Sequence, residues 1–310
     1  MPLFNGEKYL KQAIESILRQ TYINFEFIII DDASTDTSLE ILEQYNDPRI
    51  RLVKNDNNEG ITKSLNRGLT IANGEYIARM DADDISLPNR FLEEVIFLDN
   101  NPDIVMVGTA RELIDEYGVR IRDVIPKKDP NFQDICNLNP FQHSSIMIRK
   151  SILLEFGGYN ELFLSAEDCA LWLRIVKKYK VSNIQKILCK LRIHNESITV
   201  KKFEQQALYN ILAIRIATNQ ITDIDIKSIH QFGINYLKDK LCRKEKIYLL
   251  HNLAEFHRKN DNFKEAQKIY LQIFFMDPTD IFSLVNYCRL FLGKMFISET
   301  TKLYYSLKRI

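Results

Sequence analysis

Over its first hundred positions the chain alternates between apolar residues at helical spacing and short, dense apolar runs. Tyr9, Leu10, Ala13, Ile14, Ile17 and Leu18 fall on one face of a helix predicted over 7–20. Phe25 to Ile30 is rich in β-branched and aromatic residues and reads as a strand ending at Asp31-Asp32. Ser34 or Asp36 then caps a helix over 37–45, Ile50 to Val53 forms a short strand, 61–72 a helix, and Tyr76 to Met80 a third strand. Ser86 and Pro88 read as the N-cap and early first turn of a helix running to about Asp99. This β-α-β-α-β order predicts an α/β fold, doubly wound, with a mostly parallel sheet flanked by helices.

Farther along, 104–125 reads as a hairpin around Asp115-Glu116-Tyr117-Gly118, Ser144 to Ile148 as one more strand, and 166–179 as a helix. On that helix Trp172 shares an apolar stripe with Leu171, Ile175 and Tyr179, which marks it as core. After Thr199 the strand signals end. The expected division is therefore an α/β domain over 1–200 and a helical C-terminal appendage over 201–310.

Composition narrows the function classes. At 310 residues, 45% apolar and 27% charged, the chain is an ordinary globular protein with room for one large domain and an appendage. A net charge of +1 argues against a nucleic-acid partner, since phosphate recognition needs a basic surplus. Five scattered cysteines without a C-x-x-C suit a reducing compartment. No apolar run reaches the roughly 18 residues that span a bilayer, and no signal peptide is evident, so the expected site of action is the cytoplasm.

The chemistry concentrates at strand ends. The third strand runs into Asp81-Ala82-Asp83-Asp84, and ligands of open α/β sheets bind just past such ends. Clustered carboxylates repel one another, and a hard divalent cation such as Mg²⁺ or Mn²⁺, which also binds phosphates, relieves that conflict. A solvated acidic turn would explain an isolated D-x-D equally well. Three further segments stand in an order that fits nucleotide-sugar chemistry. Pro2-Leu3-Phe4-Asn5-Gly6 is a turn able to cup a base, Asp31-Asp32 can accept bonds from a base or ribose, and Ser165-Ala166-Glu167-Asp168 opens a helix with two carboxylates. Ser165 and Asp168 also satisfy a capping-box pattern, in which the acid only binds the helix end.

Together these segments resemble the family 2 glycosyltransferases of GT-A fold, inverting and metal-dependent. The matching stretches are MPLFNGEKYLKQAIESILRQTY, FEFIIIDDASTD, NEGITKSLNRGL, GEYIARMDADD, HSSIMIRKS, GGYNE, SAEDCALWLRI and RIHNESIT, in the family's order over roughly 1–200. The resemblance implies that Pro2, Phe4, Asp31, Asp32 and Asp81 contact the nucleotide. It makes Asp83 the direct metal ligand, with Asp81 beside it and His194 near the metal or diphosphate. Asp168 would be the general base, while Glu167, His143 and Arg192 would contact the acceptor or support the residues that do. It further implies a Mn²⁺ or Mg²⁺ cofactor, a nucleotide-diphosphate sugar donor with uridine the favoured base, and a glycan or lipid-linked glycan acceptor. The Q-x-x-R-W signature of processive relatives is absent, which points to transfer of a single sugar.

Two departures stand out. Leu191 occupies a position where relatives often carry Tyr, and the apolar strand that usually precedes the Pro-x-Phe-Asn turn is reduced to Met1. That strand lies centrally in such a sheet, so Met1 reads as an internal methionine and the chain as a shortened form of a longer product. The competing reading is a catalytically inactive nucleotide-sugar-binding or scaffold protein with a helical partner-binding tail. A sugar nucleotidyltransferase is disfavoured, because Pro2 to Gly6 is not a Gly-rich phosphate loop. In the tail, 246–278 resembles one tetratricopeptide-like hairpin. The stretch from Arg289 mixes aromatics with Lys294, Lys302, Lys308 and Arg309, a pattern suited to peripheral contact with an anionic membrane at the inner face of the cell membrane, or to a packed terminal helix.

Overall fold

The structure is a computed structural model that describes residues 1–194, 202–259 and 262–292. The chain begins with β1 (Pro2–Leu3), α1 (Glu7–Leu18), β2 (Phe27–Asp31), α2 (Ser38–Glu43), β3 (Ile50–Lys54) and α3 (Ile61–Ile71). Strand β2 is the middle of a three-stranded parallel sheet, with Leu3 opposite Asp31 and Ile29 opposite Leu52. A strand paired on both edges and covered on both faces needs a continuous apolar run, which Phe27 to Ile30 supplies. Helix α1 covers this sheet with Leu10, Ala13, Ile14 and Ile17, all buried.

The second sheet takes β4 (Tyr76–Ala78), β5 (Ile85–Ser86), then, after α4 (Arg90–Asn100), β6 (Ile104–Ile114) and β7 (Arg120–Val124). After α5 (Phe132–Asn137) and a 3₁₀ turn over His143–Ser145 comes β8 (Met147–Arg149). Following α6 (Lys150–Glu155) and α7 (Glu167–Ile175) the chain enters β9 (Lys180–Arg192). The order is β4-β8-β6-β9-β5, with β7 on β6. Only β6 and β9 run parallel here, so the parallel pairing predicted from the β-α-β order is confined to that pair and to β1–β3.

Three local differences have physical causes. Ser86 does not cap a helix. It pairs with Cys189 in β5, its N–H donates to Ser16 Oγ at 3.1 Å, and α4 starts only at Arg90. The segment 144–148 divides into the 3₁₀ turn and β8. The longest strand, β9, was not foreseen because Asn183, Gln185, Lys186 and Lys190 break its alternation, and register shifts occur opposite β6 near Thr109 and Ala110.

β1 is two residues long, and the Met1 backbone extends it by donating to Ile28 O at 2.8 Å and accepting from Ile30 N at 2.9 Å. A cavity of about 740 Å³ is lined from β2 by Phe27 and Ile28 and from β4 by Ile77 and Ala78, so the two sheets remain separate on this side.

By its contacts the chain divides into one unit of 1–197 with 213–220 and a second of 198–212 with 221–310. The described part of the second is helical and includes most of α8 (Phe203–Ala217), then α9 (Asp223–Phe232), α10 (Arg243–Lys259), α11 (Phe263–Met276) and α12 (Ile281–Leu292). Ala254 and Ala266 are fully buried and let α10 and α11 pack around Tyr270 and Ile273. Among the described residues no helix is long and apolar enough to cross a membrane. The basic stretch that begins at Arg289 falls almost wholly outside the described residues.

One buried pair ties the end of β4 to the start of β8. Arg90 is fully buried and donates from Nη2 to Arg79 O at 2.8 Å and to Ile146 O at 3.1 Å, while its Nε lies 3.3 Å from Glu94. Burial, partly offset by Arg90, pushes the Glu94 carboxyl up to about 7. Breaking such a pair strands the surviving charge, so Arg90→Met should cost about 3–5 kcal/mol in urea unfolding. Arg90→Met with Glu94→Leu should recover part of that loss but not all, because the Arg79 carbonyl loses its Arg90 donor and the Ile146 carbonyl keeps only the Arg79 N–H.

Candidate active site

The turn after β4 carries three carboxylates, Asp81, Asp83 and Asp84, with one oxygen from each within 4.8 Å of the others. Each is held by a different part of the chain. Asp81 Oδ2 accepts from Ser144 Oγ at 2.7 Å and pairs with the Arg79 guanidinium. Asp83 Oδ2 lies 2.9 Å from His194 Nε2. Asp84 Oδ1 accepts from the Arg192 backbone N–H at 2.9 Å, and its Oδ2 is buried without a partner. Burial, reinforced by the charges of Asp83 and Asp81, raises the Asp84 carboxyl well above its ordinary range. An orphaned buried oxygen in a cluster of hard, like-charged donors fits a divalent cation. Asp81, Asp83 and His194 are thus brought together as expected, and Asp84 joins them.

The second group opens α7. Ala166 sits at its N-cap in the left-handed region (φ 60°), which turns Glu167 and Asp168 out of the preceding loop. Ser165 Oγ is buried and unpartnered, so the capping box allowed by the sequence is not formed. The two acids differ sharply. Glu167 is buried, with Oε1 3.6 Å from His143 Nδ1, and burial followed by the charge of Asp168 pushes its carboxyl up to about 8. Asp168 is half-buried, accepts from Asn139 Nδ2 at 3.2 Å, and is also raised, chiefly by burial. Arg79 and Asp81 act electrostatically on both acids, which puts the two acidic groups in one neighbourhood.

His143 is buried. Its ring is buried against Trp172 and Tyr159, with Nε2 2.9 Å from the Tyr159 hydroxyl, and burial holds its pKa well below the ordinary value. It therefore lies behind Glu167. Trp172 is fully buried.

The first turn and the Asp31-Asp32 turn brace each other. Asn5 N–H donates to Ser34 Oγ, Gly6 N–H to Ser38 Oγ and Glu7 N–H to Asp36 Oδ2, each at 3.0 Å. A Cβ on Gly6 would come within 2.7 Å of Leu3 Cδ1 and 3.5 Å of Ala82 Cβ, so glycine lets this turn approach the acidic one. Pro2 is half-buried in β1, and the Phe4 ring is 49% exposed and open to a stacking partner. Asp32 is buried and commits both oxygens to the loop before α3. It accepts from Asn55 Nδ2 at 2.7 Å, Glu59 N at 2.9 Å and Gly60 N at 2.8 Å. Asp31 is buried too, with Oδ1 unpartnered.

Arg192 is spent on structure. Its guanidinium donates to Asp83 O at 2.9 Å, Asp115 O at 3.2 Å, Glu116 O at 3.3 Å and Gln12 Oε1 at 2.7 Å, and it lies 4.4 Å above the Tyr9 ring. It shapes the acidic turn from beneath. Residues missed in the sequence are Arg79, Ser144, Asn139 and Tyr159. Only Arg79 left a signal, as the single charge in the apolar run Tyr76 to Met80.

A sequence profile described as Glycosyl transferase family 2 matches residues 1–162. EpsE of Bacillus subtilis (strain 168), named as a glycosyltransferase, is 38% identical over 209 residues, covering 66% of this chain and 75% of EpsE. Among solved structures, S. aureus TarS 1–349 in complex with UDP-GlcNAc superimposes with a TM-score of 0.57 at 19% identity, over 92% of this chain and 87% of that one. The mannosyltransferase PcManGT of Pyrobaculum calidifontis, in complex with GDP-Man and Mn²⁺, does so with a TM-score of 0.59 at 16% identity, over 98% and 82%. The architecture is the GT-A fold, and glycosyl transfer is the activity that goes with these relationships. A matched profile over more than half of the chain, including the Asp81–Asp84 turn, makes this chain a member of glycosyltransferase family 2.

Proposed function

We propose that this chain transfers a single sugar, with inversion, from a nucleotide-diphosphate donor to a glycan or lipid-linked glycan acceptor, using Asp168 as the base. The observation that carries the reading is the pairing of a carboxylate cluster suited to a cation with a half-buried carboxylate of raised pKa in the same neighbourhood. Asp81, Asp83 and Asp84 would hold a divalent cation, Mn²⁺ or Mg²⁺, which supplies neutralisation of the charge developing on the leaving diphosphate. Asp168 takes the proton of the acceptor hydroxyl as it attacks, and Asn139 fixes one of its oxygens. Glu167, pushed up to about 8, keeps its proton at neutral pH, so the pair carries one negative charge and not two. Phe4 offers its exposed face to the nucleotide base, and Asp32 holds the neighbouring loop. A uridine donor is supported by TarS with UDP-GlcNAc, whereas PcManGT with GDP-Man makes guanosine the alternative base. Action in the cytoplasm, at the inner membrane face for a lipid-linked acceptor, accompanies this reading.

Asp168→Asn should lower kcat by about 10²–10⁴-fold while leaving UDP affinity within about twofold in calorimetry. Glu167→Gln mimics the protonated acid and should keep turnover within about tenfold; equal losses in both variants would sink the assignment of Asp168 over Glu167. Asp83→Ala should abolish the gain in UDP affinity that Mn²⁺ confers.

The pH dependence has a definite sign. Transfer needs ionised Asp168, whose pKa is raised, so the acidic limb of kcat should lie above the ordinary aspartate value of about 3.9. For stability, the unfolded chain loses the Glu167 proton near 4.5 while the folded chain retains it to about 8. The native state thus binds more protons in that window, and stability should fall as pH rises from about 4.5 to about 8. Glu167→Gln should flatten that decline in thermal melts.

A further inference from the structure

We propose that Arg79, together with Ser144, is a positioning residue of the donor site: the two clamp one carboxylate oxygen of Asp81 and aim the other at the donor's diphosphate and its cation. The inference rests on the proposed donor site and deepens it.

Arg79 is only 4% exposed, an expensive place for a guanidinium, and its Nε is buried without a partner. Its backbone is fixed on both sides, since its N–H donates to Ile146 O at 3.1 Å and its carbonyl accepts from Arg90 Nη2 at 2.8 Å. From that anchored position Nη1 donates to Ser144 Oγ at 3.1 Å and pairs with Asp81 Oδ2. Ser144 is fully buried and closes the triangle, donating to the same Oδ2 at 2.7 Å while accepting from the Asp81 N–H at 3.2 Å. Two donors on one oxygen freeze the carboxylate torsion. Oδ1 is left free of both donors, and one Asp81 oxygen lies within 4.8 Å of an oxygen of Asp83 and of Asp84. A fold that only needed to fill this volume would do better with an apolar side chain, because breaking even with a buried charge requires every donor to be satisfied. Arg79 is also the cation that acts on Glu167 and Asp168 as well as on Asp81, so one buried guanidinium offsets the charge of both acidic groups.

The test is calorimetric binding of UDP, and of GDP should UDP fail, with and without Mn²⁺, to the full chain carrying Arg79→Met, Arg79→Lys or Ser144→Ala, each checked by thermal melt. Charge-assisted hydrogen bonds of this kind translate to about a 10–100-fold loss of Mn²⁺-dependent affinity for Arg79→Met. Ser144→Ala, which removes a neutral donor, should lose about three- to tenfold, and Arg79→Lys should recover part of the Met variant's loss. A merely structural role would lower the melting temperature and leave the affinity of the folded protein unchanged. Folded Arg79→Met and Ser144→Ala chains that bind as tightly as wild type would overturn the proposal. Should Arg79→Met not fold, unchanged affinity in Ser144→Ala is enough to overturn it. Wild-type chain that binds neither nucleotide with Mn²⁺ would overturn the donor-site reading itself, and the role of Arg79 with it.

Discussion

Crowding of like charge is the constraint around which this molecule is organised. Asp81, Asp83 and Asp84 leave one strand end, Glu167 and Asp168 open a helix, and Asp81 still acts electrostatically on the helix pair. Such an arrangement is unfavourable unless each carboxyl is hydrogen-bonded, protonated or paired with a cation. The fold uses all three solutions. Ser144, His194 and the Arg192 backbone hold the turn, Glu167 and Asp84 are driven toward the neutral form, and Arg79 sits beneath Asp81 as a fixed cation. What remains is the Asp84 Oδ2, buried without a hydrogen-bond partner, which a divalent ion would suit.

The two acids of α7 differ in exposure and in partners. They are neighbours in sequence and share the same electrostatic surroundings, yet Glu167 lies against His143 inside the fold whereas Asp168 reaches the surface. A carboxyl kept neutral can brace its neighbour; one that ionises within reach of solvent can accept a proton from an incoming hydroxyl. The left-handed Ala166 makes this division possible, since it is the bend that starts the helix.

Much of this was legible in the sequence because it is local. The D-x-D-D turn follows an apolar strand, the acidic pair opens a helix with a buried apolar stripe, and the elements from α1 to β4 follow from periodicity. What was not legible depends on partners far along the chain. Asp32 looks like a ligand group until Asn55, Glu59 and Gly60 take up its oxygens. Arg192 reads as an acceptor contact or a support for one, and the support is what four carbonyl oxygens around it, three of them backbone, describe. The strand β9 hides its pairing behind polar residues and register shifts, and its parallel partnership with β6 joins positions 75 to 78 residues apart, from Ile104 with Lys180 onward. Arg79 betrayed itself only as a charge where none belonged.

The central claim is that the Asp81–Asp84 turn is where the donor's diphosphate and its cation meet the protein. Anomalous diffraction at the manganese edge, from crystals grown with UDP and Mn²⁺, tests it directly. The account predicts one strong anomalous peak coordinated by Asp83 and the diphosphate oxygens, with Asp81 and Asp84 alongside and the base against Phe4. Nucleotide density without a metal peak at this turn, or nucleotide seated in the cavity between β2 and β4, would contradict it.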